Sequence, residues 1–140
     1  MESHFCPDAP KPLGSYCHAV THNDLVYVSG IASRHFVTNE VPGLVLDGNG
    51  RKVSYDIRAE TRATLENIRQ ILSHVNSELD RILEINVFLT DMKDFKAYNE
   101  VFSEFFPSHR PARTTVAVSG LPGNISIEMK CIAVITGESR

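Results

Sequence analysis

The sequence predicts an α+β fold, a mixed β-sheet with two helices on one face. Three observations lead there. Apolar residues alternate with period two toward both ends of the chain, but recur at helical spacing in two internal stretches. The resulting order is strand, strand, helix, strand, helix, strand, strand, which a mixed sheet with helices on one side accommodates. The run Ile82 to Leu89 is apolar on both faces except for Glu84 and Asn86, as a central strand requires. The 140 residues fit one domain, 1–140, large enough to bury a core without disulfides.

The elements follow in order. Residues 1–12, rich in proline and polar groups, read as an irregular N-terminal arm. Leu25 to Ser29 reads as a strand stopped by Gly30. Asp47-Gly48-Asn49-Gly50 reads as a turn between Val41–Leu46 and Arg51–Tyr55. Its two glycines are turn chemistry rather than a phosphate loop, because no strand-to-helix context follows. From Asp56 the period changes: Ile57, Leu65, Ile68, Leu72 and Val75 mark a helix of about five turns, with Asp56 as N-cap and Asn76-Ser77 at its end. Thr90 or Asp91 caps a second helix whose buried stripe is Phe95, Tyr98, Phe102 and Phe105, and Pro107 ends it.

Two further strands close the chain. Thr114 to Ser119 alternates and is β-branched, Gly120 to Asn124 is a dense turn signal, and Ile125 to Ile135 alternates again. In that last run Ile127, Met129, Cys131, Ala133 and Ile135 share one face, and Ser126, Glu128 and Lys130 the other. If the two strands form a hairpin folded at 121–123, Glu128 lies opposite Thr115 and within reach of Arg113. A cation, a hydroxyl and an acid/base group would then share one polar face, the outline of a small-molecule site. The plainer reading is a surface Arg–Glu pair across a hairpin, worth roughly 0.2–1 kcal/mol.

Bulk properties narrow the classes. A net charge of −3 argues against a dedicated nucleic-acid binder. No apolar run approaches the length of a membrane span, and the N-terminus lacks a basic region followed by an apolar segment. Cys6, Cys17 and Cys131 are odd in number and lack metal spacing, which fits free thiols in a reducing cytosol, so a cytoplasmic location without membrane or nucleic-acid partners is expected. His18 and His22 lie four apart but have no third ligand, so no metal is expected.

Pro111-Ala112-Arg113, Leu121-Pro122 and Ile127-Glu128-Met129 together resemble the signature of the RidA (YjgF) family of imine/enamine deaminases. Further matches are Pro12-Leu13-Gly14-Ser15-Tyr16, Val28-Ser29-Gly30, Asn67-Ile68, Val87 to Met92, Asp94-Phe95 and Tyr98 to Phe102, so the resemblance spans nearly all of 10–136 in order. It implies the chorismate-mutase-like, RidA-type fold, a homotrimer with clefts between subunits (either alone or paired into a hexamer) and a small-molecule carboxylate substrate. No cofactor is implied.

The resemblance also implies residue roles. Arg113 binds the carboxylate, for which a planar guanidinium fork is suited. Glu128 positions water and moves a proton. Tyr16 lines the cleft, and Ser29-Gly30 supply backbone groups beside the ligand. Thr115 stands where many relatives have cysteine, so chemistry that depends on that thiol does not carry over. Ala9 to Gly14, Ser29 to Arg34 and Val41 to Asp47, leading into Tyr55-Asp56-Ile57, look most like the 2-aminomuconate deaminase branch, which serves aromatic catabolism. There Arg34 or His18 would read a distal carboxylate. Two other readings stay open: a broad 2-iminobutyrate/2-iminopropanoate deaminase, and a protein without deaminase activity, either a non-catalytic trimer that binds a ligand or client or one that cleaves RNA.

Overall fold

The computed structural model describes residues 1–136. Its strands are β1 (Glu2–His4), β2 (Ala19–His22), β3 (Leu25–Ile31), β4 (Val45–Leu46), β5 (Lys52–Ser54), β6 (Ile82–Leu89), β7 (Ala112–Ala117) and β8 (Ile127–Val134). The helices are α1 (Ile57–His74) and α2 (Phe95–Phe105). Six strands form one mixed sheet in the order β1-β2-β3-β8-β6-β7, while β4 and β5 make a separate hairpin. Both helices cover the same face, as the sequence predicts.

The local signals act as read. Asp56 caps α1 by accepting the Ala59 amide at 3.0 Å. Asp47 Oδ1 closes the β4–β5 turn by accepting the Asn49 and Arg51 amides. The exception is the second helix: Asp91 caps a short turn at Met92–Asp94 that leads into α2, while Asp94, at the N-cap of α2 itself, makes no side-chain capping bond. The apolar faces of α1 and β8 meet in one core, where Leu65, Ile68, Leu72, Ile127, Met129 and Cys131 are buried. Across the outer surface Arg58 pairs with Glu100 and Arg62 with Glu104, tying α1 to α2. Among the described residues, no helix is long and apolar enough to cross a membrane.

Three expectations change. The strand read as stopped by Gly30 runs through it to Ile31, across an irregularity in its pairing with β8. Within the arm, Glu2–His4 is a strand, paired antiparallel with β2 so that Ser3 faces Val20. The final two strands do not form a hairpin, because β6 lies between them. It pairs parallel with β7, Ile85 beside Arg113 and Val87 beside Thr115, and antiparallel with β8, Phe88 beside Glu128. The physical reason is that α2 makes β6–α2–β7 a crossover unit, which requires a parallel partner and carries β7 to the sheet edge. The connection from 118 to 126 then spans the end of β6, held by the Val118 amide on Leu89 O and the Thr90 amide on Ser126 O. Ile85 and Val87 are buried under the helices, so Arg113 and Thr115 face the helices, whereas Glu128 faces the open side. Within one chain the expected Arg113–Glu128 pairing does not exist.

Candidate active site

The candidate residues form two clusters, one on each face of the sheet. On the open face, β3 carries an irregularity between Val28 and Ile31 where its pairing with β8 shifts register. That shift turns Ser29-Gly30 toward Glu128. Ser29 Oγ donates to Cys17 O at 2.7 Å, which fixes the segment after Tyr16. Tyr16, Ser29, Gly30, Glu128 and Lys130 line a cavity of about 540 Å³. The Tyr16 hydroxyl accepts the Leu13 amide at 3.0 Å and leaves its ring partly exposed over the cavity.

Glu128 approaches Gly30 so closely that a β-carbon there would lie 2.4 Å from Oε2. Its carboxylate has no hydrogen-bond or ion-pair partner among the described residues, and burial raises its pKa above the ordinary carboxylate value. A half-buried carboxylate with a raised pKa and an open position beside it is suited to exchanging protons with water.

The second cluster sits at the sheet edge under α2. Arg113 Nη1 donates to Asn99 Oδ1 at 2.8 Å, and the guanidinium packs over Phe102 at 4.7 Å and Tyr98 at 5.4 Å. Phe95 completes the group. No carboxylate lies within ion-pair distance of Arg113 among the described residues, so a cation oriented by aromatic rings is available for an anion. Thr115 is bonded through Oγ1 to the Tyr98 hydroxyl. The sequence named Arg113 and Thr115 but not Asn99 or the ring cluster as site components. Helical spacing put Phe95, Asn99 and Phe102 on one side of α2, yet only the crossover brings β7 beneath them.

His18 is corrected. It is buried, its Nδ1 accepting the Cys6 amide and its Nε2 donating to Pro10 O, both at 2.7 Å. With both nitrogens engaged by backbone groups, it fastens the arm to the sheet and has none free for a substrate. Arg34 holds Asn39 Oδ1 and Lys11 O, and borders a small cavity together with Tyr16 and Gly30.

Residues 6–135 match the family profile described as Endoribonuclease L-PSP. The chain is 34% identical over 128 residues to protein HMF1 of Saccharomyces cerevisiae, covering 91% of this chain and 90% of that one. It is 34% identical over 129 residues to a 2-iminobutanoate/2-iminopropanoate deaminase of Dermatophagoides farinae, covering 92% of each. Among solved structures, E. coli TdcF with bound serine superposes with a TM-score of 0.83 at 29% identity, covering 96% of this chain and 98% of that one.

Proposed function

The chain belongs to the Endoribonuclease L-PSP family, the RidA (YjgF) group, and from that membership we propose that it hydrolyses imines and enamines of amino-acid-like carboxylates. The observation that carries the reading is the pair of half-sites, a free oriented cation at Arg113 and an unpaired carboxylate of raised pKa at Glu128. A 2-imino acid needs both, one for its carboxylate and one for the water that attacks its C=N carbon. The relative named as a 2-iminobutanoate/2-iminopropanoate deaminase acts on this class, and the serine in TdcF is an amino acid with the same carboxylate.

Because the half-sites lie on opposite faces of one sheet, a working site takes Arg113 and Thr115 from one subunit and Tyr16, Ser29, Gly30 and Glu128 from another. A homotrimer, a closed ring of heterologous contacts, supplies this pairing three times. The reaction follows from the parts. Arg113 holds the carboxylate in a bidentate grip. An enamine first tautomerises to the imine. Glu128 takes one proton from water as its oxygen bonds to the imine carbon and passes it to nitrogen, giving a carbinolamine. It then moves the second proton from the carbinolamine hydroxyl to nitrogen as the C=O bond forms and the C–N bond breaks. Imine and water give 2-oxo acid and ammonia, and no protein nucleophile is required, which is consistent with threonine at 115.

Two substrates fit this chemistry. A small 2-imino acid such as 2-iminobutanoate needs Arg113 alone. The dicarboxylate 2-aminomuconate would use a second cation, for which Arg34, sharing a cavity wall with Tyr16 and Gly30, is the candidate. Ammonia release from each substrate, with Arg113→Ala as control, tests the proposal. Turnover of either supports it and their ratio sets the specificity, whereas no ammonia from both defeats it. Arg34→Ala separates the substrates, since equal losses on both would remove Arg34 from recognition of a distal carboxylate.

A further inference from the structure

Glu60 is a carboxylate with no exposed surface, in the first turn of α1, and the reaction above does not use it. Burying a carboxyl is costly unless it is hydrogen-bonded or neutralised, so its partners are informative. Its Oε1 accepts the Ser126 backbone amide at 2.8 Å. Ser126 is the residue before β8, two positions ahead of Glu128. Its own hydroxyl accepts Lys52 Nζ at 2.5 Å, and its carbonyl receives the Thr90 amide. Two turns further along α1, Asn67 Nδ2 donates to Ala32 O at 2.8 Å and Arg34 O at 3.1 Å, the segment that leaves β3 just after Gly30. The same helix therefore grips the chain on both sides of the Gly30–Glu128 contact, through Asn67 at the exit of β3 and Glu60 at the entry to β8.

Glu60 Oε2 and Ser33 Oγ are both buried without a hydrogen-bond partner among the described residues, and Ser33 lies three residues beyond Gly30. Burial raises the Glu60 pKa, with Ser126 and Lys52 acting against that rise.

We propose that Glu60 is a positioning residue for the catalytic carboxylate. By accepting the Ser126 amide it sets the start of β8 and so the placement of Glu128 against Gly30. The inference rests on the deaminase reading and adds a residue to it. A Glu128 swung away from Gly30 would no longer hold the attacking water against the substrate's C=N carbon, so the loss falls on turnover rather than on carboxylate binding at Arg113.

Three variants in the assembled protein test this. Glu60→Gln keeps the Oε1 acceptor and should hold kcat within about twofold of wild type. Glu60→Met keeps the bulk without an acceptor and should lower kcat at least about tenfold with KM nearly unchanged. Leu72→Ala, a core cavity in the same helix, controls for lost stability and should keep kcat while fully folded. Glu60→Asp, which retains the charge but withdraws the acceptor, repeats the test should the methionine variant not fold. Full kcat in folded Glu60→Met or Glu60→Asp, or a Glu60→Gln as slow as Glu60→Met, overturns the proposal. If the wild type hydrolyses no imine, the deaminase reading fails by itself. Glu60 is then judged by carbon-13 titration of the Glu128 carboxyl, whose midpoint should drop toward the ordinary value in Glu60→Met, and an unchanged midpoint overturns the positioning role.

Discussion

Glu128 occupies the space that a side chain at residue 30 would need. An added β-carbon on Gly30 would meet Oε2 at 2.4 Å and the carboxyl carbon at 3.0 Å. The glycine is required by close approach, not by backbone conformation, since its φ is not in the left-handed region.

Gly30→Ala should therefore displace the carboxylate without straining the backbone. Imine hydrolysis is expected to fall at least about tenfold, equivalent to about 1.4 kcal/mol of transition-state stabilisation, while the thermal midpoint changes little. Initial rates and a melting curve on the same preparation check this. Full activity would mean that the Glu128 position can shift freely.

The raised pKa of Glu128 predicts opposite effects on activity and stability. Acting as a base, it works only when ionised, so kcat/KM should rise with pH through a midpoint above the ordinary glutamate value of about 4.3. Glu128→Gln should remove both the activity and that acid limb. For stability the folded chain holds this proton more tightly than the unfolded one. The associated stability is present in full below the unfolded pKa and is lost as pH rises through the folded value. Near neutral pH the ligand-free wild type carries the cost of a desolvated carboxylate and Glu128→Gln does not. The variant should melt higher there, with the advantage closing as pH falls past the ordinary glutamate pKa. A lower melting point at neutral pH would contradict the burial argument.

Arg113→Lys preserves charge but not the planar fork or the stacking on Phe102 and Tyr98. KM for a 2-imino acid should rise by about tenfold or more, in line with roughly 1.5–3 kcal/mol for a charge-assisted hydrogen bond, and Arg113→Ala should lose more. Steady-state kinetics check this, and an unaltered KM in Arg113→Lys would show that charge alone suffices.

Mixing two inactive variants tests the division of the site between subunits. Arg113→Ala and Glu128→Gln, denatured together and reassembled at equal amounts, should recover up to about a quarter of wild-type activity in a closed trimer, because one site in four receives both intact residues. No recovery from well-assembled mixtures would require both residues to act within one chain, against their placement on opposite faces.

Tyr98→Phe removes one partner of the Tyr98–Thr115 hydrogen bond. Stability should fall by about 1 kcal/mol, and KM should rise modestly because the edge of β7 carrying Arg113 is less firmly held. Chemical denaturation together with kinetics separates the two effects.

Much of this chain is legible locally. The cap at Asp56, the Asp47 turn, the five-turn helix and the apolar face of β8 each depend on residues near in sequence, where side-chain period and capping chemistry decide the outcome. The candidate site residues could be named from the sequence as well, since Arg113, Glu128 and Gly30 fall within short matching segments. Strand partnership was not. Two β-runs separated by a turn signal look like a hairpin, and alternation is blind to a third strand inserted between them. Only the α2 crossover, which forces β7 parallel to β6 and out to the edge, places Arg113 and Glu128 on opposite faces. Likewise, only the folded chain shows that His18 spends both nitrogens on backbone groups and that Glu60 meets Ser126 across 66 residues of sequence. The sequence by itself determined the elements and the chemistry available to them, because those depend on local period and side-chain type. The tertiary structure decided which chemical groups can meet, because that depends on long-range pairing.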